Sequence, residues 1–205
     1  GRVSDLSYIR DAGDHVAIGA LTRHMDVENS ELLKAEVPLL AHAASHVGDR
    51  QVRHRGTLGG TIAHADPASD LPATTLALGA TYVAQGPNGT REIAAADFYE
   101  GFLTSVLEPD EMLTEIRVPK MAGAGWSFQK FNRRAQDWAI VGVAAWKGGV
   151  GLVNMGSTPV LAQQVTAAWA GGASAAEAAE LAAADAEPGA DLNASVEYRT
   201  HLAKV

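Results

Sequence analysis

Hydroxyl, imidazole and carboxylate side chains crowd together with two side-chain-free positions in residues 55–72, RGTLGGTIAHADPASDLP. Gly59 and Gly60 remove side chains where a backbone can approach a ligand closely, and exposed N–H groups there would cradle phosphate oxygens. The Thr57 and Thr61 hydroxyls can donate to the same oxygens, and Asp70 can accept from a ribose hydroxyl. The set suits a dinucleotide, although a Gly-Gly pair also fits a plain turn. A nucleoside-triphosphate P-loop is excluded, because no G-x-x-x-x-G-K-[ST] occurs, and G-x-G-x-x-G is also absent.

The same side chains allow other chemistry. His64, Asp66 and Asp70 can be read as ligands of a hard or borderline metal in a hydrolase. Against this, Asp66 precedes Pro67 as a turn former and His64 fits a polar rim. His42 and His46 share a helix face without an acidic third ligand and read as surface or packing residues. Lys130, Arg133, Arg134 and Asp137 read as a solvated turn or as a polar lip on a ligand. Arg50, Arg53, His54 and Arg55 form a basic patch that favours a bound phosphate or an acidic partner, with a fold-internal role for one Arg as the alternative.

Around these groups the pattern predicts a β-hairpin from 6–9 and 15–18, turning at Ala12-Gly13-Asp14. A helix over 23–28 is expected with Thr22 as N-cap, and a second runs from Pro38 through Val47. Residues 50–72 match neither period and read as a long functional loop. A short helix follows at 73–78, then strands at 81–84 and 91–93 about a turn at 86–89. The aromatic segment 97–103 is expected to pack inward. Met112, Ile116 and Val118 mark a strand stopping at Pro119.

Residues 121–125 read as a domain boundary, dividing the chain into lobes 1–122 and 123–205. The second lobe begins with strands at 126–131, 138–146 and 150–153, the last pair turning at Gly148-Gly149. Helices are expected at 160–169, 174–184 and 195–203, where Ala and Glu dominate.

The 205 residues are 47% hydrophobic, enough for a real core, so disorder throughout is ruled out. Sixteen Lys and Arg against 24 Asp and Glu leave a net charge of 16 − 24 = −8, which disfavours a nucleic-acid partner. No run approaches the ~18 apolar residues of a membrane span, and a cytoplasmic protein is expected. With no Cys there is no thiol nucleophile and no thiolate-held cluster, so redox chemistry requires a bound organic cofactor.

The stretch VRHRGTLGGTIAHADPASDLPA (52–73) resembles the flavin-binding medium subunits of molybdenum hydroxylases, those of aerobic carbon monoxide dehydrogenases and the flavin domain of xanthine dehydrogenases. IGALTRHMDV (18–27), DFYEGFLTSVLEPDEMLTEIRVP (97–119), FQKFNRRAQDWAIVGVA (128–144), MGSTPV (155–160) and SVEYRTHLAKV (195–205) carry the same resemblance in the same order. It implies an α+β, two-lobed flavin-binding fold of the vanillyl-alcohol-oxidase-like type, with a sheet-plus-helices second lobe. It also implies an FAD site. Thr57, Leu58, Gly59, Gly60 and Thr61 would hold the pyrophosphate and ribityl region, with His64 alongside and Asp70 on the adenosine ribose. Leu113 would pack near the isoalloxazine and Lys130 would border the ring, Gln129 being the one-residue alternative. The implied partners are a [2Fe-2S] small subunit and a molybdopterin large subunit; the implied function is electron transfer to a terminal acceptor, with no catalytic acid or base.

Three departures from the family pattern stand out. An earlier Gly-rich phosphate loop has no equivalent here, Thr61 replaces a common Asn, and the hairpin at 147–149 is short. The alternative reading is therefore a flavin-free scaffold subunit of the same kind of complex.

Overall fold

The computed structural model describes residues 3–121 and 123–205. Strands β1 (Ile9–Asp11) and β2 (His15–Gly19) form the expected hairpin, whose turn uses Gly13 at φ +94° and an Asp11 carboxylate that accepts from the Gly13 N–H. Six short helices follow: α1 (His24–Asn29), α2 (Glu31–Glu36), α3 (Pro38–Ser45), α4 (Arg50–Arg55), α5 (Leu58–His64) and α6 (Asp70–Ala77). Strands β3 (Thr81–Gly86) and β4 (Gly89–Ala94) make a second hairpin, and a 3₁₀ turn leads into the small β5 (Tyr99–Gly101) and β6 (Thr104–Ser105) pair. Strand β7 (Met112–Pro119) is central to an antiparallel five-stranded sheet of order β1-β2-β7-β3-β4, with Ile18 opposite Ile116 on one side and Tyr82 opposite it on the other.

After residue 125 come β8 (Trp126–Phe131), β9 (Val141–Trp146), β10 (Gly149–Val153) and β11 (Val160–Leu161), in sheet order β11-β10-β9-β8. Helices α7 (Gln163–Ala170), α8 (Ala175–Ala179) and α9 (Val196–Lys204) complete an α+β molecule. Helix α6 is buried along its entire length and packs on β9, β10 and β11 as well as on α3 and α5. Gly149 and Gly151 permit this approach, since a Cβ on either would strike the Ala77 or Ala73 carbonyl oxygen. One apolar core therefore joins Ile18, Leu40, Leu58, Ile62 and Ile116 to Phe128 and Ala144 of the second sheet; another, around Leu152 and Val165, lies beneath the C-terminal helices.

Several expectations are corrected. Residues 50–72 are not a loop: they hold α4, α5 and the start of α6. The Asp49 carboxylate caps α4 through the Val52 N–H, and the Thr57 hydroxyl caps α5 through the Gly60 N–H. Pro72 falls in the first turn of α6, where no intrahelical N–H is required. Ala65, left-handed at φ +56°, ends α5 without the usual glycine. Thr22 does not cap α1; its hydroxyl donates to the Tyr8 carbonyl and accepts from the Tyr8 N–H. Helix α2 was not expected. Val160–Leu161 pairs with β10 as a strand instead of opening a helix, and α8 is shorter than the Ala-rich run suggests. Phe98 is buried as expected, whereas Phe102 and Leu103 are exposed at the β5–β6 tip. Ala122, the end of the expected first lobe, lies outside the described residues.

Candidate functional site

The N–H groups of the Gly-rich segment are consumed within the fold. Leu58 donates to the Thr22 carbonyl at 2.9 Å, Gly59 to Ala20 at 2.8 Å, Gly60 to the Thr57 hydroxyl at 3.1 Å and Thr61 to the Thr57 carbonyl at 3.1 Å. The segment is a capped helical turn pinned to the end of β2, so the expected cradle of free backbone donors is not present. What remains for a ligand is one helix face. Thr57, Gly60, Thr61 and His64, at helical spacing, are exposed or half-buried, while Leu58, Gly59 and Ile62 point into the core.

The two glycines have different physical reasons. A Cβ on Gly59 would lie 2.7 Å from the Ala20 carbonyl oxygen and 2.8 Å from its Cα, so Gly59 is required by packing of α5 against the sheet. A Cβ on Gly60 would meet only the movable Thr57 hydroxyl, at 2.7 Å. Nothing else in the fold fills that space, and the bare backbone faces outward.

Beside this face, Lys130 on β8 donates to Asp70 Oδ2 at 2.7 Å and to the His46 carbonyl at 3.1 Å. Both side chains of the ion pair are 6% exposed. Burial pushes the Asp70 carboxyl above its usual range, opposed by Lys130 and His46. Asp70 Oδ1 is buried without a hydrogen-bond partner, and so is His24 Nδ1. Burial, aided by Arg23 and Arg53, pushes His24 down to about 4, so its ring is neutral at pH 7. His24, Thr61, Asp70, Lys130 and Trp138 line a common cavity of about 310 Å³. An adjoining cavity of similar size reaches from Lys130 to Arg50 and Arg53.

Thr61, Asp70 and Lys130 are thus brought together. Asp70, expected on the adenosine ribose, and Lys130, expected beside the ring, are in direct contact at 2.7 Å. Leu113 is on β7, 5% exposed within the core, and His64 is exposed at the end of α5. Asp66 accepts from the Ala68 N–H at 2.9 Å as a turn former, and the described residues contain no group of three or more potential metal ligands. Arg53 takes the fold-internal role, donating to Glu28 and to the Val47 carbonyl. The His42 and His46 rings pack 4.6 Å apart, His42 against Trp126 and His46 against Phe128.

His24 escaped the sequence reading. Its one signal was Gly56, where a Cβ would lie 2.6 Å from the His24 ring. That contact joins residues distant in sequence and shows only after folding.

Residues 1–121 match the family described as the FAD binding domain in molybdopterin dehydrogenase, and residues 126–205 match the CO dehydrogenase flavoprotein C-terminal domain. The chain is 40% identical to the carbon monoxide dehydrogenase medium chain of Hydrogenophaga pseudoflava, over 98% of this chain and 75% of that one. It is 36% identical to the medium chain of the Afipia carboxidovorans enzyme, over 99% and 75%. A solved structure of the Hydrogenophaga pseudoflava enzyme, lacking the Mo-pyranopterin moiety of its cofactor, superposes with a TM-score of 0.94 at 39% identity, covering 99% of this chain and 76% of that one. No helix among the described residues is long and apolar enough to cross a membrane. The chain belongs to the FAD-binding medium subunits of molybdenum-containing dehydrogenases of the carbon monoxide dehydrogenase type, and its cofactor is FAD.

Proposed function

We propose that this chain is the electron-transfer subunit of a cytoplasmic molybdenum hydroxylase, seating FAD between the outer face of α5 and the Asp70–Lys130 cavity. Asp70 and His24, which line one cavity and each bury a polar atom without a partner, carry this reading. Buried polar groups are normally satisfied, and a polar ligand would satisfy these two. The side-chain-free surface at Gly60 adds room for close approach.

In this reading the Thr57 and Thr61 hydroxyls donate to the cofactor's polar chain, with His64 at the rim. Leu58 and Gly59 fix α5 against the sheet so that those hydroxyls point outward. Asp70 Oδ1 accepts a hydrogen bond from the ligand, while Lys130 holds the carboxylate charged and aimed. Leu113 supplies apolar backing from β7. The first lobe runs to residue 122 and the second lobe brings Lys130 and Trp138 to the far wall. When bound, FAD would supply the redox chemistry, taking electrons from a [2Fe-2S] small subunit fed by a molybdopterin large subunit and yielding them to a terminal acceptor. The protein's share is binding, orientation and electrostatics, with no side chain acting as acid or base.

The test is anaerobic rapid mixing of the assembled complex with its reducing substrate. The flavin absorbance should bleach at the rate of turnover once the iron-sulfur signal falls. Full turnover by a complex whose medium subunit carries no FAD would instead establish a scaffold role.

A further inference from the structure

The last family-like segment, residues 195–205, has no part in the site described above, yet it carries a deeply buried charge. Arg199 on α9 is 3% exposed. Its Nη2 donates to Asp191 at 2.7 Å and its Nη1 to the Ile140 carbonyl, with the Asn154 carbonyl at 3.5 Å. Ile140 is the neck of an excursion between β8 and β9, closed where its N–H donates to the Phe131 carbonyl at 2.8 Å.

Asn154 completes the clamp. It is one of three described non-glycine residues at positive φ, +61°, and from there its amide donates to the Ala139 carbonyl at 2.8 Å. Its backbone N–H donates to the Pro67 carbonyl at 2.8 Å. Asn154 therefore touches both loops at once, and Arg199 braces it against the Ile140 neck. Residues 132–139 carry Gln136, Asp137 and Trp138 to one wall of the cavity, and residues 65–69 deliver Ser69 and Asp70 to the other. Neither Arg199 nor Asn154 lines that cavity.

We propose that Arg199 and Asn154 are positioning residues for the flavin site: they set the spacing of the two loops that carry Asp70 and Trp138. The inference rests on the reading of that cavity as part of the FAD site. Its physical basis is that a buried guanidinium presents its donors in a fixed planar fork, and so registers two backbone carbonyls and a carboxylate where a lysine ammonium cannot. A left-handed Asn supplies an amide at a turn where most side chains would be strained.

The complete protein should be compared with Arg199→Lys, which keeps the charge, and with Asn154→Gly, which keeps the backbone conformation and removes the amide. Each variant should bind FAD about tenfold more weakly, the worth of roughly one hydrogen bond of lost alignment. The visible circular dichroism of the bound flavin should also change, while the apoproteins retain the wild-type near-ultraviolet spectrum. Wild-type FAD affinity and visible spectrum in both variants would overturn the proposal, as would FAD loss that merely tracks loss of folded protein. Stoichiometric FAD binding by Gly60→Val, measured alongside, would instead overturn the underlying site reading, so the two failures are distinguishable.

Discussion

Lys130 Nζ lies 2.7 Å from Asp70 Oδ2, tying the first turn of α6 to β8 inside a region where both side chains are almost fully buried. The pair is asymmetric, since Asp70 Oδ1 has no partner. A buried ion pair with one free oxygen costs more to desolvate than a fully satisfied one, so its presence argues for a role beyond stability.

Removing the cation alone should be severe. Lys130→Met is expected to destabilise the apoprotein by about 3–5 kcal/mol at neutral pH, because it strands a buried carboxylate. Asp70→Asn with Lys130→Met should recover most of that loss without restoring FAD. Asp70 already has its carboxyl raised by burial, and loss of Lys130 raises it further. A carboxyl raised in the folded state contributes stability below its unfolded value and loses it as pH rises through the folded value. The deficit of Lys130→Met should therefore shrink toward acid pH. Urea midpoints of the three proteins across pH 4 to 8 measure this (roughly the window in which raised carboxyls titrate), and a pH-independent deficit would refute it.

The glycine pair separates fold from ligand. Gly59→Ala should destabilise the apoprotein by about 1–3 kcal/mol, as overpacking does, since the added methyl meets the Ala20 backbone. Gly60→Ala should leave apoprotein stability within about 1 kcal/mol, the helix-propensity gain offsetting a disturbed Thr57 cap. Thermal unfolding of the two apoproteins decides the matter; equal losses would mean that α5 is not oriented as described.

His24 gives the fold an acid limit. Its ring is pushed from 6.5 to about 4 by burial, so the unfolded chain takes up its proton first. This neutral histidine contributes stability that is fully present above 6.5 and is lost as pH falls toward 4, up to about 3 kcal/mol for a shift of this size. His24→Gln should flatten stability across that window. An unchanged acid slope in the variant would show that other groups cause it.

Much of the outline was legible from the chain. Alternation gave β2 and β7, turn residues marked the strands about 86–89 and 148–149, and Pro38 marked the start of α3. The stretch 50–72 was not, because its helices are six to eight residues long and α5 ends without glycine: Ala65 takes the left-handed turn that sequence reading assigns to Gly. Short helices hold through tertiary packing more than propensity, as the fully buried α6 does, and that packing has no local signature. Thr61 and Asp70 were singled out by their side-chain chemistry and Lys130 by the family resemblance, but their geometry was not legible. Lys130 lies 60 residues from Asp70, and only the fold shows that they touch.

We infer that FAD binds across the outer face of α5 and the Asp70–Lys130 cavity. The most direct measurement is a titration of FAD into the complete apoprotein, followed by flavin fluorescence, for the wild type and for Gly60→Val. Saturable, near-stoichiometric binding is expected for the wild type and its loss for the variant with an unchanged near-ultraviolet spectrum, because the branched side chain occupies the space left bare at Gly60. Stoichiometric FAD binding by Gly60→Val would contradict it and place the cofactor elsewhere on the molecule.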